Sequence, residues 1–208
     1  MPLDPRLLPD IDALRRRAQA LAMLDAIVSP EWDSRYYSFN AAWAPGEQMA
    51  SMRNGCGDDW FILFDAAGAA IKGLAHETAA ARDPALVART RGVLPATLSS
   101  FRDEPAFGWH AMSYCYWRQA GEAGWHRVDV DQDDGSVAFL ALLVAPAWGY
   151  VEYARDYYER ELPPSGVEAI YAHRPLTQAL VQSLDPECTL ATLEADRIEI
   201  GYPSPGSR

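Results

Sequence analysis

The stretch WDSRYYSFNAAWAPGEQMASMRNGCGDDWFILFDAAGAAIKGLAHE, Trp32 to Glu77, decides the fold. From Tyr36 its side chains follow the two-residue period of strands. Tyr36–Asn40, Met49–Arg53, Trp60–Phe64 and Ala69–Leu74 are short, rich in aromatic and aliphatic residues, and separated by turn chemistry. Asp65-Ala66-Ala67-Gly68 between the last two is a good hairpin connection, with Gly68 free to take positive φ. Trp60, Ile62 and Phe64 fall on one face and Phe61 and Leu63 on the other, which predicts a central strand buried on both sides.

Before this stretch, residues 10–28 read as an amphipathic helix. Asp10 is placed to cap it, Ile11, Leu14, Ala18, Leu21 and Val28 recur at helical spacing, and Ser29-Pro30 stops it. After it, residues 78–105 read as short helical pieces, including Pro95–Phe101. A second strand cluster is expected at Trp109–Trp117, Trp125–Val130 and Ser136–Val144, the last two joined as a hairpin through residues 131–135. A helix at Trp148–Glu161, shorter ones near Val167–Ala172 and Leu176–Leu184, and a final strand at Arg197–Tyr202 complete the reading. Clustered strands with helices before and after predict an α+β fold. Its antiparallel sheet would carry an N-terminal helix and C-terminal helices in a single domain over residues 1–208.

Composition narrows the function classes. The chain has 208 residues, 49% of them hydrophobic, enough to fill a sizeable core. No run approaches the ~18 apolar residues of a membrane span, and the start lacks a basic segment followed by an apolar one, so a cytoplasmic location is expected. Three widely spaced cysteines, Cys56, Cys115 and Cys188, argue against a disulfide framework or a zinc site. The net charge of -11 argues against nucleic acid and anionic membrane as partners. Residues 1–104 carry 14 acids and 11 bases, whereas residues 105–208 carry 15 acids and 7 bases, so acid concentrates in the second half. Solubility is the ordinary reason for such a surplus. Attraction of a basic partner is the functional one.

Reaction motifs are sparse. Asn54-Gly55-Cys56-Gly57-Asp58-Asp59 could present a nucleophilic thiol, with His76 as base and Asp58 as orienter. Two aspartates oppose thiolate formation, so a turn built by glycines and self-bonding aspartates is the favoured reading. His76–Glu77 follows a strand, and adjacent strand residues point to opposite faces, which rules down a shared metal. No HxH, HxxxH or HExxH spacing occurs, and no metal or cofactor is expected. Asp129, Asp131 and Asp133 imitate the start of a calcium loop, but position six is Asp134 and position twelve Leu140. An acidic hairpin tip is the better reading. On the helix 148–161, Tyr150, Tyr153 and Tyr157 share a face with acids between them, as on surfaces that recognise proteins. Packing on the sheet is the ordinary fate of such a face.

The run Tyr36-Tyr37-Ser38-Phe39-Asn40, then Met49 through Gly55, Gly57-Asp58, Phe61-Ile62-Leu63-Phe64 and Gly73 through His76-Glu77, resembles an uncharacterised bacterial protein family. Sparser matches follow at Ile170-Tyr171, Pro175-Leu176-Thr177 and Glu199 through Pro203. The resemblance implies no catalytic residues. In general character the chain is similar to small acidic proteins that neutralise bacterial toxins, without an immunity-protein motif. The reading that follows is a non-catalytic module binding a basic protein through Asp129, Asp131, Asp133, Asp134, Tyr153 and Tyr157. The alternative is a hydrolase or small-molecule binder using Arg53, Cys56, Asp58, His76 and Glu77.

Overall fold

A computed structural model describes residues 1–203. Six strands form one antiparallel sheet in the order β1-β2-β3-β4-β5-β6, each beside its neighbour in sequence. They are β1 (Tyr37–Ala44), β2 (Glu47–Arg53), β3 (Asp59–Asp65), β4 (Gly68–Leu74), β5 (Tyr114–Gln119) and β6 (His126–Arg127). The α+β reading and the four-strand core of the sheet hold. Asp65 builds the β3–β4 turn by accepting the N–H groups of Ala67 and Gly68 through Oδ1, and Gly68 takes φ 144°.

β3 lies inside the sheet and feeds two cores. Trp60, Ile62 and Phe64 join Phe39, Ile71, Tyr114 and Tyr116 on one face. Phe61 and Leu63 join Phe101, Phe107, Trp109 and Trp117 on the other. The side-chain period of two sends each set to its own face. Gly73 is opposite both Trp60 and Tyr114 in register, and the Tyr114 ring lies where a Cβ on residue 73 would sit.

The first face is covered by α1 (Ile11–Val28) and the C-terminal helices α4 (Ser136–Phe139), α5 (Ala141–Val144), α6 (Ala147–Tyr157), α7 (Pro164–Tyr171), α8 (Gln178–Leu184) and α9 (Glu194–Ile200). Asp10 caps α1 as expected, accepting the Ala13 N–H at 2.8 Å. Every residue from Ala18 to Val28 is buried, so the helix is amphipathic only in its first half. The reason is its position: the second half touches the sheet on one side and α7, α8 and α9 on the other. The opposite face of the sheet is covered by α2 (Leu86–Val93), α3 (Ser99–Asp103) and short 3-10 turns around them.

Two expected strands are helices instead, and two more are shortened. Residues 136–144 form α4 and α5 rather than a strand, and no 125–144 hairpin exists. Gly135 at φ 78° turns the chain, and Asp134 accepts the Ser136 N–H at 3.0 Å at the helix start. The run then buries Leu140, Leu142 and Leu143 against α1's layer. An apolar run this short suits either period, and packing decided it. Strand Trp125–Val130 shrinks to β6, and Trp109–Trp117 begins only at Tyr114, because Trp109 turns into the second core and donates Nε1–H to Phe101 O. The final strand expected at Arg197–Tyr202 is instead the end of α9, Glu194–Ile200, and the turn after it. The first turn of α9 is acidic, Glu194 pairs with Arg197 at i,i+3, and Gly201 ends the helix at φ 69°.

Candidate functional site

The loop after β2 is built by Asn54. Its side-chain oxygen accepts the N–H groups of Cys56 and Asp58, and its amide donates to Asp58 Oδ2 at 2.6 Å. Gly55 and Gly57 take positive φ as read from the sequence, but the self-bonding residue is Asn54 rather than the aspartates, since Asp59 turns to Lys72. Asp58 then reaches the end of β4, where its Oδ1 accepts the His76 backbone N–H at 2.9 Å and lies 2.7 Å from His76 Nδ1. With a carboxylate as partner, Nδ1 carries the proton and Nε2 is left facing outward. Partial burial opposes the charged form of Asp58, but the bonds from His76 and Asn54 outweigh it and hold its carboxyl below the usual value.

The other members of the alternative set do not join this pair. Glu77 Oε1 lies 3.9 Å from His76 Nε2 on a side chain that is 88% exposed. Cys56 is an exposed free thiol with no hydrogen bond to the His76 ring among the described residues. The nucleophile–base link that thiol catalysis requires is therefore missing. Arg53 turns to a separate place, its guanidinium carbon 5.5 Å from the Phe61 ring centre. There it lines a cleft of about 260 Å³ with Trp32, Tyr36, Ser38, Ser51 and Gly55. Among the described residues no group of three or more His, Cys, Asp or Glu is placed to hold a metal. Nor is any helix long and apolar enough to cross a membrane.

The acidic segment between β6 and α4 divides. Asp129, Asp131 and Asp133 are exposed, and Asp133 meets the N-terminal amine at 3.2 Å. Asp134, expected at the tip, is buried instead. Its Oδ1 accepts the Ser136 hydroxyl at 2.6 Å, its main-chain carbonyl accepts the Ser113 hydroxyl, and Arg127 stands 3.8 Å from Oδ2. Burial raises its pKa against the pull of Ser136 and Arg127. Asp134 is thus a helix-start residue and leaves the surface set. Arg127 also folds inward, over the Tyr116 ring and onto the Val128 and Val130 carbonyls.

Tyr153 is half-buried and its ring lies within 6 Å of Tyr36, Tyr37, Tyr150, Tyr157 and Tyr158, so most of the tyrosine face packs inward. Tyr157 alone of the pair remains open, 47% exposed. These rings surround Asp25, which sequence reading missed. Fully buried in α1, Asp25 accepts the Tyr36 and Tyr37 N–H groups at 2.9 and 2.7 Å and the Tyr150 and Tyr158 hydroxyls at 2.6 and 2.9 Å. Burial pushes its pKa up to about 6, with the four donors pulling against it. One signal was available: a carboxylate four residues after Leu21, on the apolar side of the predicted helix.

No family model, no curated protein and no solved structure matches the chain.

Proposed function

We propose that this chain is a non-catalytic, protein-binding module of the cytoplasm that engages a basic partner, in the manner of an immunity-type protein, within the bacterial family it resembles. One observation carries the reading. Asp129, Asp131 and Asp133 face solvent, while the one arginine of that segment's neighbourhood, Arg127, is withdrawn onto Tyr116 and two backbone carbonyls. The segment thus presents Asp129 and Asp131 without the arginine that its sequence contains, and only Asp133 meets a cation, the exposed N-terminal amine. Complementary charge of this kind steers a basic partner and raises its association rate. Elsewhere the arginines are largely taken up by neighbours, as in Arg6–Asp4, Arg89–Asp83 and Arg155–Asp156, so the surplus on the surface is acidic. The exposed edge of Tyr157 supplies an aromatic anchor of the type enriched at interfaces.

The test is affinity capture on the full chain from cells of the source organism, followed by native mass spectrometry. A basic protein should be retained by the wild type and lost by the Asp129→Asn, Asp131→Asn, Asp133→Asn triple variant. Equal retention by both, or repeated recovery of the chain alone, refutes the reading.

A further inference from the structure

The cleft lined by Arg53 holds a strand-end cation that forms no ion pair with a carboxylate among the described residues. Arg53 faces Asp59 across the β2–β3 register, but Asp59 is engaged by buried Lys72, whose Nζ lies 3.4 Å from Oδ1. Arg53 has no acidic partner among the described residues, and its guanidinium lies over the Phe61 ring. The second arginine of the cleft, Arg35, is already neutralised by Asp196 and by the Ser29 and Pro30 carbonyls. Beside Arg53, the hydroxyls of Ser38 and Ser51 bond each other at 2.7 Å. Two hydroxyls joined by one bond retain one donor proton between them. Ser51 is 4% exposed, so the hydroxyl pair forms the floor of the cleft. At the rim Trp32 is 55% exposed, which leaves an indole open beside the cleft.

We propose that this cleft binds a small aromatic carboxylate, with the Arg53 guanidinium and the serine donor on the carboxylate and Trp32 against the ring. The planar guanidinium fork matches a carboxylate. A flat apolar ring gains most from an exposed indole by offset stacking. Size sets the class: about 260 Å³ falls just under the ~300–1,000 Å³ of drug-sized sites, which admits one ring and excludes a nucleotide. Exposed Asp33 at the rim favours one negative charge over two. The site shares no residue with the acidic segment, so the two readings stand or fall separately.

The experiment titrates the folded full chain, labelled with ¹⁵N, with benzoate, benzamide and phenyl phosphate. Benzoate should give saturable shifts at the Ser51 amide, the Arg53 Nε–H and the Trp32 indole N–H, and benzamide should bind about tenfold more weakly. Arg53→Met keeps the stem over Phe61 and should remove that preference while leaving benzamide unchanged. Trp32→Ala, at an exposed position, should weaken both ligands and keeps the test usable if Arg53→Met fails to fold. Equal binding of benzoate and benzamide, tighter binding of phenyl phosphate, an unaltered Trp32→Ala variant, or no saturation by about 50 mM, beyond the millimolar range of weak specific sites, each overturns the proposal.

Discussion

Tyr150 donates its hydroxyl to Asp25 at 2.6 Å across 125 residues of chain. That bond ties α6 to α1, and the same carboxylate holds the entry to β1 through the Tyr36 and Tyr37 N–H groups. One buried acid therefore joins three elements that the apolar cores alone would allow to slide. Its removal is predicted to be severe. Asp25→Ala leaves the Tyr150 and Tyr158 hydroxyls and the Tyr37 N–H without their acceptor and should cost about 3 kcal/mol or more. Asp25→Asn, which keeps one acceptor oxygen, should cost less. Urea denaturation of the three proteins checks the order.

The same residue sets a pH dependence. Asp25 has its folded pKa raised from 3.8 to about 6, so the folded state holds the proton more tightly than the unfolded chain. Its contribution is fully present below pH 3.8 and is lost as pH rises through about 6. A shift of this size corresponds to roughly 3 kcal/mol. Between pH 4 and pH 7 the stability difference between wild type and Asp25→Asn should move in favour of Asn as pH rises. Parallel melting curves across that range check it, and a constant difference would count against the assignment.

Asp58 holds His76 in one tautomer. Long-range ¹H–¹⁵N spectra of the wild type should show the proton on Nδ1. Asp58→Asn, which turns a charged acceptor into a neutral group, should shift the ring toward the Nε2–H form that predominates in free histidine. The depressed pKa of Asp58 has the opposite sign to that of Asp25: its contribution is present above the ordinary carboxyl value and is lost as pH falls through the folded one.

Gly73 is required by a ring rather than by its backbone. A Cβ at this position would occupy the place of the Tyr114 ring, which is itself buried beside Tyr116 on the sheet face. Gly73→Ala should destabilise by about 1–3 kcal/mol through overpacking. Coupling it to Tyr114→Leu should recover part of the loss, a comparison that thermal denaturation of the single and double variants makes directly.

The triple Asp129→Asn, Asp131→Asn, Asp133→Asn variant should fold as well as the wild type, within about 0.5 kcal/mol, because these side chains are exposed. Asp134→Ala should not be silent, since it removes the acceptor at the start of α4 and leaves the Ser136 hydroxyl without its 2.6 Å partner. Circular dichroism melts separate the two behaviours and thereby the surface acids from the structural one.

What the sequence determined by itself was the four-strand core of the sheet and the first helix. The period of two from Tyr37 to Leu74, the Asp65–Gly68 turn and the Asp10 cap are local facts, each settled within a few residues by side-chain direction and backbone sterics. The loop at Asn54 belongs with them in part: its positive-φ glycines and the Asn54 bonds are local, whereas Asp58 reaches His76 on another strand end. Tertiary structure decided the rest. Residues 136–144 and 194–200 are short apolar or mixed runs compatible with either period, and the space against α1 made them helical. Asp25 and Asp134 look like any other acids in the chain, yet their donors come from Tyr150 and Tyr158 in one case and from Ser113, Ser136 and Arg127 in the other. Burial and long-range hydrogen bonding separate such residues from Asp129 and Asp131, and neither exists until the chain has closed on itself.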